Sequence, residues 1–421
     1  LEDMNIKANY APKTYSVNIT DYNEGGAITG AASGVYSYGD VLNLTAKSNE
    51  DYVFDGWEIN NQNNGNDNEI SIVVNESKDI KANFRRDVFL QSFSMSRGWN
   101  WISSYVNEPI PVSTFLGNVT HIVSQFDEII KDPVYGMIGG IETLMPGVSY
   151  KMDASYSSMK SFKGHLHDLA STPIELHTGW NWVSYPYVEE KEISDVLVNA
   201  SEGDYMTSQF GFSEFADGYW EGTLNTLTPG YGYIYKSSTD KTLVFDFSNK
   251  QSRAKAMRAN TYSDETHSYD VDAHKYPSTM NVVARISGGI DNLNTENCRI
   301  YAFAGNELRG ESRSVGDNHY LTIYGDDETN VTFVVENTTN GDTFLAKETV
   351  MFNSEVLGSR KAPFSITVSE TTAINNSADT SRKMKIYSIE GVLINSKATT
   401  ESLKKLSRGI YIIDGQKFMV K

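Results

Sequence analysis

His165 and His167 are separated by one residue and followed by Asp168. On a strand that spacing puts both imidazoles on one face, where they could share a metal ion. No third ligand follows at a convincing spacing, and the pair falls at a module boundary, so the metal reading stays minor. Residues 60–69, Asn-Asn-Gln-Asn-Asn-Gly-Asn-Asp-Asn-Glu, place oxygen ligands around a glycine as calcium loops do. Only Asp67 and Glu69 carry charge there, and a solvated hairpin tip is favoured. The cofactor expectation is therefore none, with calcium as the single candidate. Cys298 would act as a nucleophile only beside a positioned histidine, and a buried structural thiol is the preferred reading. The better binding candidates are indoles. Trp99 and Trp101 share one strand face, as do Trp180 and Trp182, and paired exposed indoles could stack on sugar rings. Two tryptophans on one face equally anchor a small core, and the core reading is favoured. The chain has no G-x-S-x-G elbow, phosphate-binding loop or dinucleotide glycine fingerprint, so no catalysis is expected of it.

Strands are expected to carry these residues. Tyr 25, Phe 18 and many Thr, Val and Ile favour sheet, and long Ala/Leu/Glu/Lys stretches are missing. The expectation is more than about 30% strand and under about 10% helix, against an ordinary third of residues in helix. A length of 421 residues is too long for one core and predicts three or more domains. Asp+Glu 54 against Lys+Arg 36 leaves a net charge of −18, which disfavours nucleic acid and anionic lipid as partners. A single cysteine precludes an intrachain disulfide, so each domain must be held by its own burial. No apolar run approaches the ~20 residues of a transmembrane segment.

Internal repetition fixes the domain order. Met4-Asn5-Ile6-Lys7-Ala8-Asn9-Tyr10 recurs as Lys78-Asp79-Ile80-Lys81-Ala82-Asn83-Phe84, so residues 1–10 read as the last strand of a module whose beginning lies upstream. Residues 11–85 form a complete unit with Gly25-Gly26 at its first turn and further strands at 38–46, 52–57, 70–74 and 80–84. Gly98-Trp99-Asn100-Trp101-Ile102-Ser103 returns as Gly179-Trp180-Asn181-Trp182-Val183-Ser184. Ser124-Gln125-Phe126 returns as Ser208-Gln209-Phe210, and Leu144-Met145-Pro146-Gly147 as Leu227-Thr228-Pro229-Gly230. Three blocks in one order, offset by 81 to 84 residues, define a duplication at 86–168 and 169–248. Residues 249–275 lack apolar periodicity and read as a linker. Strand candidates at 280–286, 299–304, 319–324, 331–336, 342–346 and 349–352 predict a β-sandwich over 276–371, with Asn340-Gly341 as a tight hairpin turn at positive φ. Residues 382–421 reverse the charge: nine basic residues against three acidic give +6 and leave −24 on the rest. Glu390-Gly391 and Asp414-Gly415 each separate two apolar runs, predicting an antiparallel sheet.

The order G-G, Y-x-Y-G-D-V-x-x-L-T-A, Y-x-F-x-G-W, I-K-A-N-F within residues 15–84 resembles the divergent internalin B-type repeat of bacterial surface proteins, which implies a small β-grasp-like module. The duplicated units resemble the GWNW modules beside sorting domains in exported Bacteroidetes proteins. V-V-A-R-I with Y-A-F-x-G-x-E-x-R-G resembles an Ig-like domain of gut Bacteroidetes surface proteins. M-K-I-Y-S-I-E-G-V-L-I followed by L-S-R-G-I-Y-I-I-D-G-Q-K-F-M-V-K, flush with Lys421, resembles the type A C-terminal sorting domain of type IX secretion cargo, although the Y-P-N-P opening is absent. The expected fold is all-β: a β-grasp-like repeat, two duplicated β modules, an Ig-like sandwich and a C-terminal antiparallel sorting domain in series. The expected function is a non-catalytic cell-surface or secreted adhesion or structural protein. It would engage type IX secretion machinery through residues 382–421, lie outside the cell or on the outer membrane, and meet a host or glycan ligand. The competing expectations are the accessory C-terminal region of a secreted hydrolase (peptidase or glycosidase), with a catalytic domain upstream of Leu1, and carbohydrate-binding modules.

Overall fold

A computed structural model describes residues 7, 11–20, 22–247, 271–288, 290, 293–326, 328–369, 373–374, 384–398, 400–403, 405–407, 409–413 and 416–420. The upstream strand remnant apart from Lys7, most of the linker and the Asp414-Gly415 turn lie outside these residues. Strand makes up 58% and helix 3%, so the chain is all-β. Contacts divide it into two units: Leu1–Leu90 with Phe162–Leu166, and Gln91–Ser161 with His167–Lys421.

In the first unit, Thr14–Thr20 buries Val17 and Ile19 on one face and runs parallel to Lys78–Arg86. That parallel pair is the heart of a five-stranded sheet that also holds Gly34–Ser37, Tyr52–Ile59 and Gln62–Asn63. A second sheet of Tyr22–Asn23, Gly26–Gly30, Val41–Ser48 and Glu69–Val73 packs over it. Leu42, Leu44, Trp57, Ile80 and Ala82 fill the space between. Gly25-Gly26 serves close approach as well as turning, because a Cβ on Gly26 would stand 2.5 Å from the Phe84 ring.

The second unit contains the main sheets of both duplicated stretches, and their strand order is the same. The first copy orders its main sheet Gly98–Ser103, Ser149–Ala154, Val119–Val123, Glu128–Asp132, Gly136–Gly139. The second orders Gly179–Val183, Tyr233–Ser237, Asp204–Thr207, Phe212–Ala216, Tyr219–Gly222. Short pairs repeat as well: Ile110–Pro111 with Thr143–Leu144 answers Lys191–Glu192 with Thr226–Leu227. Phe115, Val119, Ile122 and Met152 are buried in the first copy, and Tyr185, Met206, Leu227 and Tyr235 in the second.

The sandwich follows. Ser278–Ser287 pairs antiparallel with Asn318–Gly325 and parallel with Val356–Leu357 and Phe364–Thr367. Opposite it stand Cys298–Ala304, Asn330–Asn337 and Thr343–Met351. Glu307–Val315 belongs to both layers, pairing first with Cys298–Ala304 and then, from Ser312, with Asn318–Gly325. Val282, Ile300, Leu321, Phe333 and Ile366 form the core between layers. The tail is a four-stranded antiparallel sheet ordered Leu393–Ala398, Met384–Ser388, Gly409–Ile413, Gln416–Val420. Ile410 leaves its own core to pack with Tyr301, Phe303 and Val334 of the sandwich.

The sandwich departs from expectation in three places. Residues 342–346 and 349–352 are one strand, Thr343–Met351, carrying a bulge that the polar pair Lys347-Glu348 disguised as a break. Asn340-Gly341 is no two-residue turn at positive φ: Gly341 alone takes φ +80, inside a longer loop closed by the Gly341 N–H on the Asn337 carbonyl. Glu307–Val315 was not expected as a strand, because four charged residues and a glycine erase its alternation where it bends between layers.

Candidate functional site at the module seam

The G-W-N-W motif has a local physical basis. Asn100 turns into the protein, accepts the Ser96 N–H at 2.8 Å and donates to the Ser96 and Gly98 carbonyls. Asn181 does the same with His177 and Gly179. Alternation along the strand then puts Trp99 and Trp101, and Trp180 and Trp182, on the opposite face. Gly98 adopts φ +91, and any Cβ there would stand 2.3 Å from the His274 carbonyl oxygen. The end of the linker thus lies along the first motif strand, and the Trp99 N–H donates to that same oxygen at 2.7 Å.

The two copies join through those motif strands, and the contacts are reciprocal. Gln209 accepts the Trp101 N–H at 3.0 Å and donates to the Trp99 carbonyl at 2.8 Å. Gln125 accepts the Trp182 N–H at 2.9 Å and donates to the Trp180 carbonyl at 2.7 Å. The Ser103 N–H donates to the Gly230 carbonyl at 3.0 Å, and the Ser184 N–H to the Gly147 carbonyl at 3.1 Å. Each module supplies the glutamine and the proline-glycine turn that close the other's motif strand. The repeated Ser-Gln-Phe block is visible in the sequence; its partner is not.

Lys151 lies at the centre of this seam. Its Nζ sits 4.3 Å from the Trp101 ring and 4.8 Å from the Trp182 ring, one indole from each copy. Burial pushes its pKa down to about 7. The register separates Lys151 from Lys236, although each follows the same turn in sequence. Lys151 faces Trp101, while Lys236 faces Trp180. Trp101 is buried, 5% exposed, with its Nε1 donating to the Pro277 carbonyl at 3.3 Å. Trp182, Trp99 and Trp180 are half-buried. Trp99 stands edge-on to His121 with centroids 5.2 Å apart. Trp180 Nε1 donates to both Glu355 carboxylate oxygens at 3.1 Å, under Lys236 at 5.0 Å. All four indoles therefore take part in contacts that join motif strands to neighbouring elements.

The second copy holds a buried charge network that nothing in the sequence marked. The Asp204 carboxylate is 0% exposed, paired to Lys241, and accepts the Tyr235 hydroxyl at 2.6 Å. The N–H groups of Ser201 and Ser238 complete it at 2.8 Å each. Burial works to raise its pKa; Lys241, Tyr235 and the two amides outweigh that and hold it below the usual carboxylate range.

The histidines have separate roles. His165 is exposed at a strand end, its Nε2 3.4 Å from the Asp87 carboxylate. His167 is buried, with Nε2 2.7 Å from the Thr172 carbonyl and its pKa lowered by burial. Among the described residues no three His, Cys, Asp or Glu side chains gather as a metal site would need. The Cys298 thiol is buried in the sandwich core, where burial pushes it up to about 11.

The first unit brings its glycine pair, its Trp57 strand and its closing Lys78–Arg86 strand into one sealed β module. Residues 15–88 match the divergent InlB B-repeat domain. Within this InlB-type repeat only Asn60-Asn61 is a hairpin turn: Gln62–Asn63 pairs back on Glu58 and Ile59, residues 64–68 lead to the strand Glu69–Val73 of the other sheet, and Trp57 Nε1 donates to the Asp67 carbonyl at 2.9 Å. Asn63 Oδ1 accepts the Gly65 N–H at 2.9 Å. No curated protein matches the chain. Among solved structures, the Bacillus anthracis TIE protein aligns at 10% identity over 99% of this chain and 74% of that one. The TM-score of 0.15 is far below what a shared fold requires.

Proposed function

We propose that this chain is a non-catalytic region of a cell-surface or secreted protein of a Bacteroidetes-type bacterium, with an adhesive or structural role. Its modules form a spacer, and its residues 382–421 act as a sorting domain for type IX secretion machinery. The observation that carries this reading is the InlB-type repeat at 15–88 joined in series to further sealed β modules. The shape of the tail supports it. A forty-residue sheet has little core of its own, here Met384, Ile386, Ala398, Tyr411 and Ile413. A basic unit on an otherwise acidic chain is also electrostatically distinct enough to be read by separate machinery. Among the described residues, no helix is long and apolar enough to cross a membrane. Deleting residues 382–421 in the native host and fractionating cells tests the sorting role. Accumulation in the periplasm is expected; unchanged delivery to the surface overturns it.

A further inference from the structure

Asn-Gly occurs twice in this chain, at Asn64-Gly65 and Asn340-Gly341. The pair carries a reaction of its own: a glycine has no Cβ to shield its amide nitrogen, which can attack the carboxamide carbon of the asparagine before it. The structure separates the two sites. The Asn340 carboxamide is held at both ends, its Nδ2 donating to the Asp342 carboxylate at 2.7 Å and its Oδ1 accepting the Asp342 N–H at 3.0 Å. The Gly341 N–H is tied as well, to the Asn337 carbonyl at 2.8 Å.

Asn64 is exposed, and among the described residues its carboxamide has no hydrogen-bond partner. Gly65 is held at φ +94 with open space where a Cβ would stand. Its N–H donates to Asn63 Oδ1 at 2.9 Å, the end of an exposed side chain that rotates away at little cost. The main chain here is pinned to the core. The Asn64 N–H donates to the Trp57 carbonyl and the Trp57 N–H to the Gly65 carbonyl, at 2.8 Å each, and Trp57 is 1% exposed.

We infer that Asn64 is a site of spontaneous backbone modification, with water as co-reactant. The Gly65 nitrogen bonds to Asn64 Cγ, the Cγ–Nδ2 bond breaks, and Nδ2 leaves as ammonia with the proton that the Gly65 nitrogen gives up. Water then opens the cyclic imide. Opening at Cγ leaves an aspartate at this position. Opening at the main-chain carbonyl leaves an isoaspartate, in which the backbone runs through the former side chain and is one carbon longer. The paired bonds to Trp57 need the Asn64 nitrogen and the Gly65 carbonyl at the spacing of an ordinary peptide unit, which the longer backbone exceeds. Conversion therefore loosens the Tyr52–Ile59 strand at Trp57, and the converted share records the age of a molecule.

Peptide mapping by mass spectrometry tests this on the full chain, held at physiological temperature and mildly alkaline pH. The amide-to-acid mass gain is expected at Asn64 about tenfold faster than at Asn340, where two further hydrogen bonds must first break. Isoaspartate should exceed aspartate, which direct hydrolysis of the carboxamide would not give. Asn64→Gln, whose longer carboxamide closes a ring far less readily, should abolish the gain there and leave Asn340 unchanged. Hydrogen exchange at the Trp57 N–H should quicken in the aged unaltered chain and not in the aged variant. Conversion at Asn64 no faster than at Asn340 overturns the proposal. So does isoaspartate at this position with the Trp57 N–H protected as before.

Discussion

Replacing Asp204 by Asn is expected to destabilise the second duplicated module by about 3–5 kcal/mol, because it strands the Lys241 ammonium in a nearly closed site. The remaining donors, Tyr235 OH and the Ser201 and Ser238 amides, are arranged for a carboxylate. Hydrogen exchange at the amides of Asp204–Thr207 and Tyr233–Ser237 reports the loss in this module alone. A change under about 1 kcal/mol, the worth of an exposed pair, would contradict the network described. The double replacement Asp204→Asn with Lys241→Met, which removes both charges and keeps an acceptor for those donors, is expected to cost less than Asp204→Asn alone. The pH dependence has a fixed sign. A carboxylate whose folded pKa lies below its unfolded value, about 3.9, stabilises the fold above that value. The contribution is lost as pH falls through the lowered folded pKa. Asp204→Asn should therefore flatten the acid limb of the module's stability curve.

Lys151 should produce a slope of the same sign in a higher pH window. Its folded pKa is about 7, while an unfolded lysine titrates near 10.4, so between those values the unfolded chain binds one proton more. Stability of the seam must then rise with pH across that window, by up to about 1.4 kcal/mol per unit. The faces of Trp101 and Trp182 favour the ammonium, by roughly 1–2 kcal/mol together, and burial outweighs them. Lys151→Met keeps the stem and removes the titration. Relative to it, the unaltered protein should gain a few kcal/mol between pH 7 and 10, on the scale of ~1.4 kcal/mol per unit. Parallel curves for the two proteins would show that Lys151 stays charged in the fold.

The duplication, the InlB-type repeat and the strand-rich character were legible because they rest on local pattern: recurring blocks, alternation, glycine turns. What the sequence hid was pairing. Gln125 and Gln209 stand out as repeated residues, yet nothing local says that each closes the strand of the other copy. Lys151 and Lys236 follow the same turn, and only the register reveals that they face different tryptophans. Asp204 and Lys241 are 37 residues apart, and neither has a neighbour that forecasts a buried pair. Glu307–Val315 escaped because a strand shared by two layers has no single buried face to alternate against. The His165 and His167 spacing was read as a strand pattern, but the strand ends at His165.

The placement of this chain outside the cell, proposed above, is tested by labelling intact cells. A membrane-impermeant amine reagent is applied to the native host, and the protein is then recovered and its lysines mapped. The prediction is modification of exposed lysines such as Lys131, Lys163 and Lys361 on intact cells, or recovery of the protein from the medium, with buried Lys151 spared. Labelling that appears only after the cells are lysed would contradict the claim.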